Sequence, residues 1–340
     1  MRKLLLILSV SLLSYRGFSQ DPHFSQFFVS PLTLNPALTG KINGDFRVSG
    51  NYRDQWPEIS KAYVTTTLAI DAPILRNRIS ESDTWGVGVI AMSDKTANGV
   101  LTSNYISLTT AYHKGLDENG YHSLGLGFQA IYADKRLDGT KLNFLDELDA
   151  NGGFTGVSME TIDDQVLKVN HFSMGVGFLY NGSTNGYNNF YAGLSAYHLN
   201  RASESFTGDV FYKMNPRYTF NVGGAFPLRD ETKIIYGSAL YSHQAGAENV
   251  VIGGVMGFSF SNDPDYPTAI YLGAWTRFNN VNDALIPYVG LEYGNIRFGA
   301  SYDVNISSLK TASQSKGGVE ISLIYTKRPP GQKYVPCPKF

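Results

Sequence analysis

Charge, thiols and long apolar runs are all scarce in this chain. Of 340 residues 17% are charged, with 28 Lys and Arg against 29 Asp and Glu, and the only cysteine is Cys337. A lone cysteine excludes an internal disulfide framework and reads as a tail thiol. Near-balanced charge supplies no basic face for nucleic acid. Six histidines and one cysteine fall in no metal-ligand spacing, and His113 and His122, flanking a turn, read as interfacial polar groups. No cofactor is expected. Beyond the N-terminus no apolar stretch nears the roughly 20 residues that a membrane-spanning helix needs without meeting a charge or polar cluster. That excludes transmembrane helices and leaves a membrane β-barrel open.

What the chain has in quantity is glycine and aromatics: 35 Gly, 22 Tyr and 20 Phe. It also begins like an export signal. Met1, Arg2 and Lys3 are a basic start, residues 4–13 an apolar core, and Gly17 and Ser19 place small residues at the minus three and minus one positions of a cut between Ser19 and Gln20. The expected signal peptide, residues 1–19, carries three cations and no acid, so its loss takes the formal charge from −1 to −4.

From Asp45 onward one pattern repeats. In DFRVSGNYR, Phe46, Val48 and Tyr52 share one face while Arg47, Ser49, Asn51 and Arg53 share the other, the period of a strand with one apolar and one polar side. IRFGASYDV sets Ile296, Phe298, Ala300 and Tyr302 opposite Arg297, Ser301 and Asp303 in the same way. Fourteen such segments can be read, at about 45–53, 62–70, 84–92, 101–112, 121–132, 167–180, 187–198, 217–226, 233–242, 249–260, 268–278, 285–293, 295–304 and 318–327. Lengths of about ten residues suit tilted membrane strands, and an even number lets an antiparallel sheet close without an edge. The expected fold is therefore all-β: a closed antiparallel transmembrane barrel of about 14 strands over residues 43–327, with a short periplasmic or plug segment at 20–42 and a periplasmic tail at 328–340. The less apolar faces, mainly Ser, Thr, Gly, Asn and isolated charges, should line the lumen. Tyr52, Tyr132, Tyr180 and Tyr302, near the ends of apolar faces, suit the two interfacial belts. A secreted sandwich or propeller would alternate too, but would not explain that polarity.

Connections supply a second test. Those after the even-numbered segments are mostly turns, such as HKGLDENG, GSTNG and YGN; the long insertions at 133–165, 199–215 and 305–317 all fall on the opposite rim. Residues 71–83 are a longer link on the short side. Long loops on one rim and short turns on the other are the asymmetry of an outer-membrane barrel with periplasmic termini. Leu137, Leu142, Phe144, Leu145, Leu148 and Phe154 dot the longest loop and are candidate anchors for a partner domain.

Motifs of chemistry are few. GVGVIA at 86–91 fits a dinucleotide pattern but lies inside a strand with no helix after it, so its glycines read as small residues on a crowded face. His171 and Ser173 put an imidazole and a hydroxyl on one strand face, as in barrel hydrolases, but the sequence places neither an orienting partner nor an oxyanion donor. The acidic DELDA run at 146–150 reads as a solvated loop without calcium-ligand spacing.

The segment between signal and barrel remains. Gln20, Asp21, Pro22, Phe24, Ser25 and Gln26, then Pro31, Leu32, Asn35, Pro36, Ala37 and Gly40, spell QDPHFSQ and PLTLNPALTG. This start closely resembles that of the PorP/SprF family of type IX secretion outer-membrane proteins, and the hairpin at 111–132, the last two strands and the CPKF ending resemble that family too. The resemblance implies a non-enzymatic secretion component in the bacterial outer membrane, linked to surface adhesins and gliding. Its implied partners are membrane lipid, a secreted cargo bearing a C-terminal sorting domain, and the secretion machinery or a peptidoglycan-linked periplasmic protein. The cargo-contacting residues carry no motif. A general porin or hydrophobic-solute channel and an outer-membrane hydrolase are the competing expectations. On physical grounds Asn35, Pro36 and Gly40 read as N-cap, first helical residue and stop of one helical turn. Phe24, Phe27 and Phe28 would each gain about 1.5–3 kcal/mol from burial, inside the barrel mouth at the periplasmic end or against a protein partner.

Overall fold

The structure, a computed structural model, describes residues 20–57, 63–75, 79–80, 82–160, 165–206, 208–209, 211–228, 232–261, 266–279, 283–307 and 310–328. The signal peptide, Cys337 and all of the tail except Arg328 lie outside these residues.

Each alternating segment is a strand: β1 (Phe46–Gln55), β2 (Tyr63–Ile74), β3 (Thr84–Thr96), β4 (Leu101–Gly115), β5 (Ser123–Asp138), β6 (Val166–Gly182), β7 (Asn189–Tyr197), β8 (Arg217–Pro227), β9 (Lys233–Gln244), β10 (Ala247–Ser259), β11 (Thr268–Phe278), β12 (Ala284–Tyr293), β13 (Ile296–Asn305) and β14 (Lys316–Lys327). Every strand pairs antiparallel with its sequence neighbours, and β1 pairs with β14, closing a 14-strand barrel. Closure leaves no edge to recruit another chain. GVGVIA lies within β3. Among the described residues no helix is long and apolar enough to cross a membrane.

The faces follow the alternation. Arg47, Ser49, Asn51 and Arg53 of β1 are buried inward while Tyr52 is exposed outward; Phe298 and Tyr302 face out while Ser301 and Asp303 face in. Ala300 sits mid-strand on the outer face, opposite Val289. We expect Ala300→Arg to cost about 2–4 kcal/mol, as a cation near the hydrocarbon midplane does; denaturant unfolding in liposomes reads it, and a loss under about 0.5 kcal/mol would reverse the face assignment.

Two features depart from the sequence reading. First, residues 133–138 belong to β5, paired with β4 and β6 as far as Leu137 and Asp138, so the long connection begins at residue 139. The ladder continues past the apolar band because charges there can face water: outward Asp134 and Arg136 hydrogen-bond each other. Secondly, the inward face is not uniformly polar. From β7 through β12 it carries Tyr191, Tyr197, Tyr236, Tyr271, Trp275, Ile286 and Tyr288, all buried. An aromatic arc facing an open aqueous pore would be costly, and the lumen is not open.

Candidate functional site

Residues 20–42 thread the barrel instead of resting at one mouth. Odd-to-even connections, including the long loops, lie at one rim, and the even-to-odd turns at the other. The segment starts at the long-loop rim, where Asp21 meets Gln244 at the end of β9 and Arg217 at the start of β8. It ends at the short-turn rim, where Lys41 reaches Ser123 at the start of β5.

The lumen grips this plug in three ways. The first is a charged cluster on β1, β11, β13 and β14. Arg277 and Arg53 donate to one Asp303 oxygen at 2.6 and 3.2 Å, and Arg53 Nε lies 3.8 Å from Glu320. Ser25 of the plug donates its hydroxyl to Asp303 at 2.8 Å and accepts from Arg277 at 2.9 Å. The Glu320 carboxylate accepts the backbone N–H groups of Ser25 and Gln26 at 2.8 and 3.0 Å. Gln26 then donates to Ser301 and the Glu320 carbonyl, both at 2.9 Å, and accepts from Ser322 at 2.8 Å. The Ser-Gln pair of the N-terminal motif is thus read by lumenal carboxylates and hydroxyls. With Gln26 against Ser301, that lumenal position has no space for a larger side chain.

The second grip is aromatic. Phe28 stacks on Trp275 with ring centroids 4.4 Å apart and meets Tyr288 edge to face at 5.4 Å. Phe24, Phe27 and Phe28 are all buried, Phe27 and Phe28 in one cluster with Trp275 and Tyr288, each worth about 1.5–3 kcal/mol on full burial.

The third grip is backbone contact. Asn35 caps the turn Pro36–Leu38 by accepting from Ala37 N–H at 2.9 Å, while its amide donates to the carbonyls of Phe178 and Leu194 at 3.1 and 3.2 Å. This apposition needs glycine on the wall: a Cβ at Gly127 would lie 2.3 Å from Ala37 N, one at Gly177 2.0 Å from Asn35 Oδ1, and one at Gly86 2.3 Å from the Thr39 carbonyl oxygen. The crowded face of β3 is therefore crowded by the plug. Gly40, at φ +70, donates its N–H to Asp71, which also pairs with Arg47 at 2.9 Å. Of the other motif positions, Pro31, Leu32 and Ala37 are buried and Pro22 is half-buried, while Gln20 is exposed.

Near the long-loop rim Ser173 Oγ and His198 Nδ1 lie 2.7 Å apart, and His198 Nε2 lies 2.7 Å from Asp21 Oδ2. Burial would raise the Asp21 carboxyl, but His198 and Arg217 outweigh it and hold the group well below the usual carboxylate range. His171, which the sequence placed beside Ser173, shares the inward face, yet neither of its ring nitrogens has a hydrogen-bond partner among the described residues. Sequence reasoning missed His198 because it lies 25 residues from Ser173.

The loop at 139–165 is folded where it is described. Asp149 accepts from the N–H groups of Asn151 and Gly153, both at 2.8 Å, and Asp146 from that of Met159 at 2.7 Å; Leu148 bridges Phe154 across the fold. The DELDA carboxylates are thus turn-builders, and the Gly153 and Asn151 N–H bonds lower the Asp149 pKa. No group of three or more His, Cys, Asp or Glu among the described residues could hold a metal. Of the candidate anchors Leu145 is 83% exposed, Phe154 48% and Leu148 44%; Leu142 and Phe144 are half-buried, and Leu137 is half-buried in β5.

Residues 17–325 match the family described as type IX secretion system membrane protein PorP/SprF. The chain belongs to the PorP/SprF family. Family and barrel together indicate an outer-membrane location. A comparison with curated proteins finds no match. Among solved structures, a Pseudomonas aeruginosa FadL homologue is 12% identical at TM-score 0.46, covering 86% of this chain and 92% of that one. The CymD monoaromatic hydrocarbon channel is 10% identical at TM-score 0.48, covering 88% and 93%. The Acinetobacter baumannii protein Omp33 is 9% identical at TM-score 0.41, covering 85% and 99%. The barrel itself rests on the closed strand order of this PorP/SprF chain.

Proposed function

We propose that this PorP/SprF protein is a non-enzymatic component of type IX secretion that holds a cognate cargo, through its C-terminal sorting domain, at the cell surface. The observation that carries the reading is the plug. With residues 20–42 packed through the lumen, recognition falls to the rims, and the long-loop rim presents a folded loop with exposed apolar side chains. That rim faces the exterior, as longer loops of outer-membrane barrels do. The short-turn rim faces the periplasm and the secretion machinery or a peptidoglycan-linked protein.

Neither competing activity suits the lumen. A solute channel needs an open path, which the plug occupies. A hydrolase needs a nucleophile that substrate can reach: Ser173, His198 and Asp21 stand in a hydrogen-bonded row, but Ser173 is 0% exposed. Cleavage before Gln20 and a gliding or adhesin role belong to the same proposal.

Replacing residues 139–159 with a short Gly-Ser turn tests the contact. Barrel assembly, read by heat-modifiable gel mobility, should be unchanged, while surface retention or secretion of one cognate cargo falls by about tenfold or more, the scale of losing two interface anchors. Other type IX substrates should be unaffected. Wild-type delivery of every cargo by an assembled variant would exclude the loop and leave the other connections of the long-loop rim as the candidates.

A further inference from the structure

On the outer wall, near the long-loop rim, β3 to β6 bring Lys95, Thr102, Arg136 and Lys168 into one row: Lys95 stands opposite Thr102, Thr102 opposite Arg136, and Arg136 opposite Lys168. Alternation puts all four side chains on the outward face, and the three cations are exposed. With strands about 4.8 Å apart, the row is about 14 Å wide. Among the described residues Lys95 and Lys168 form no ion pair, and Arg136 pairs with Asp134 at 3.0 Å. On β7 through β13 no described lysine or arginine faces outward at this end, so the positive charge is confined to one patch of the wall.

Toward the middle of the wall the chemistry changes layer by layer, in the same register. The next outward row is Ser93, Asn104, Asp134 and Asn170, a belt of hydrogen-bonding groups in which Ser93 donates to Asn104 at 2.8 Å. The row after that is Ala91, Ile106, Tyr132 and Phe172, where the apolar band facing lipid begins; Ile106, Tyr132 and Phe172 are exposed. The cations are therefore continuous with the lipid-facing surface through one polar layer. Basic clusters so placed attract anionic lipid head groups, and Arg and Lys are the usual partners of phosphate.

Apolar, then hydrogen-bonding, then cationic is the order of an acylated, phosphorylated sugar standing in a bilayer: acyl chains, hydroxyl-bearing rings, phosphates. We infer that this four-strand patch is a binding site for a phosphorylated, acylated disaccharide of the outer leaflet, the lipid A class of head group. A glycerophospholipid matches it less, since one phosphate on a glycerol meets part of the row and brings no sugar to the middle layer. An acidic protein surface would leave the continuity with the apolar band without a purpose. The inference takes the long-loop rim as external; it does not involve the 139–165 contact, so its failure leaves the cargo reading untouched.

The test is native mass spectrometry of the delipidated, detergent-purified mature protein titrated with bisphosphorylated lipid A, phosphatidylglycerol or phosphatidylethanolamine. Lipid A should bind saturably and about tenfold or more tighter than either phospholipid, because its phosphates engage more of the cations. Lys95→Gln, Arg136→Gln and Lys168→Gln should each weaken it by about fivefold, and the triple substitution by about fiftyfold or more, the scale of one lipid contact per cation. Lys114→Gln, at an exposed cation on the other end of β4, should leave it unchanged. Heat-modifiable mobility equal to wild type establishes that each variant is folded. An epitope inserted after the exposed Gly152 and probed on intact cells reads the placement of the rim separately. Lipid A binding no tighter than that of the phospholipids, displacement of lipid A by equimolar inorganic phosphate, wild-type affinity in the triple variant, or an epitope hidden on intact cells would overturn the inference; loss of cargo retention in a triple variant that still binds lipid A would give the row to the protein partner instead.

Discussion

Asp303→Asn should destabilise the protein by about 3–5 kcal/mol, the cost of removing one partner from a buried ionic cluster. Asp303 is 2% exposed and one of its oxygens takes hydrogen bonds from Arg277, Arg53 and Ser25. The amide keeps the shape but removes the charge, leaving two guanidiniums near each other with Glu320 as the remaining nearby carboxylate of the cluster. Ser25 is part of this cluster, so the damage should reach the plug: protease nicking near Phe24 should rise along with the fall in unfolding midpoint. The double substitution Asp303→Asn with Arg277→Met should recover much of the loss, because it removes the uncompensated cation as well. A single variant as stable and as protease-resistant as wild type would show that the cluster does not hold the plug.

The barrel was legible because strand alternation is a local signal. Arg47, Ser49, Asn51 and Arg53 declare their face within one short segment, and the closed lumen confirms it. Where local signals mixed, the reading slipped. β11 and β12 carry large apolar side chains on both faces, Tyr271, Trp275 and Tyr288 inward and Leu272, Phe278, Leu285 and Leu291 outward, so the two faces could not be told apart by hydropathy; Phe28 packs on the inward Trp275 and Tyr288. The extension of β5 to Asp138 was hidden for a different reason: above the apolar band, both faces of a strand can be polar and alternation loses its contrast.

The plug shows the limit most plainly. Its one local feature, the Asn35-capped turn, can be read from Asn-Pro and a following Gly. Its path cannot, since Ser25 and Gln26 find their partners 252 to 296 residues away. One clue was available. Arg53 and Glu320 stand directly opposite on β1 and β14 once the barrel closes, and Ser301 stands opposite Glu320. Charges converging on one side of a lumen imply something polar to bind, and the motif at residues 20–26 supplies it.

Removing residues 20–40 should therefore turn a sealed barrel into a conducting one. The wild-type protein in planar bilayers should show no steady conductance above background: the segment meets β13 and β14 through Gln26, β11 and β12 through Phe28, β6 and β7 through Asn35, and β2 through Gly40, so it crosses the lumen from wall to wall. The truncated barrel keeps every strand pair of its closed sheet, and a barrel of this size without a plug leaves a water path. Its conductance should exceed wild type by about tenfold or more, since a continuous water path replaces packed side chains. Loss of the Phe28–Trp275–Tyr288 cluster will also lower stability, so assembly must be verified by heat-modifiable mobility before currents are compared. Gly127→Val provides the milder version, forcing Ala37 off the β5 wall without shortening the chain, and should give intermittent openings. Steady wild-type currents equal to those of the assembled truncation would mean that the plug does not seal the lumen, and would favour the competing solute-channel reading.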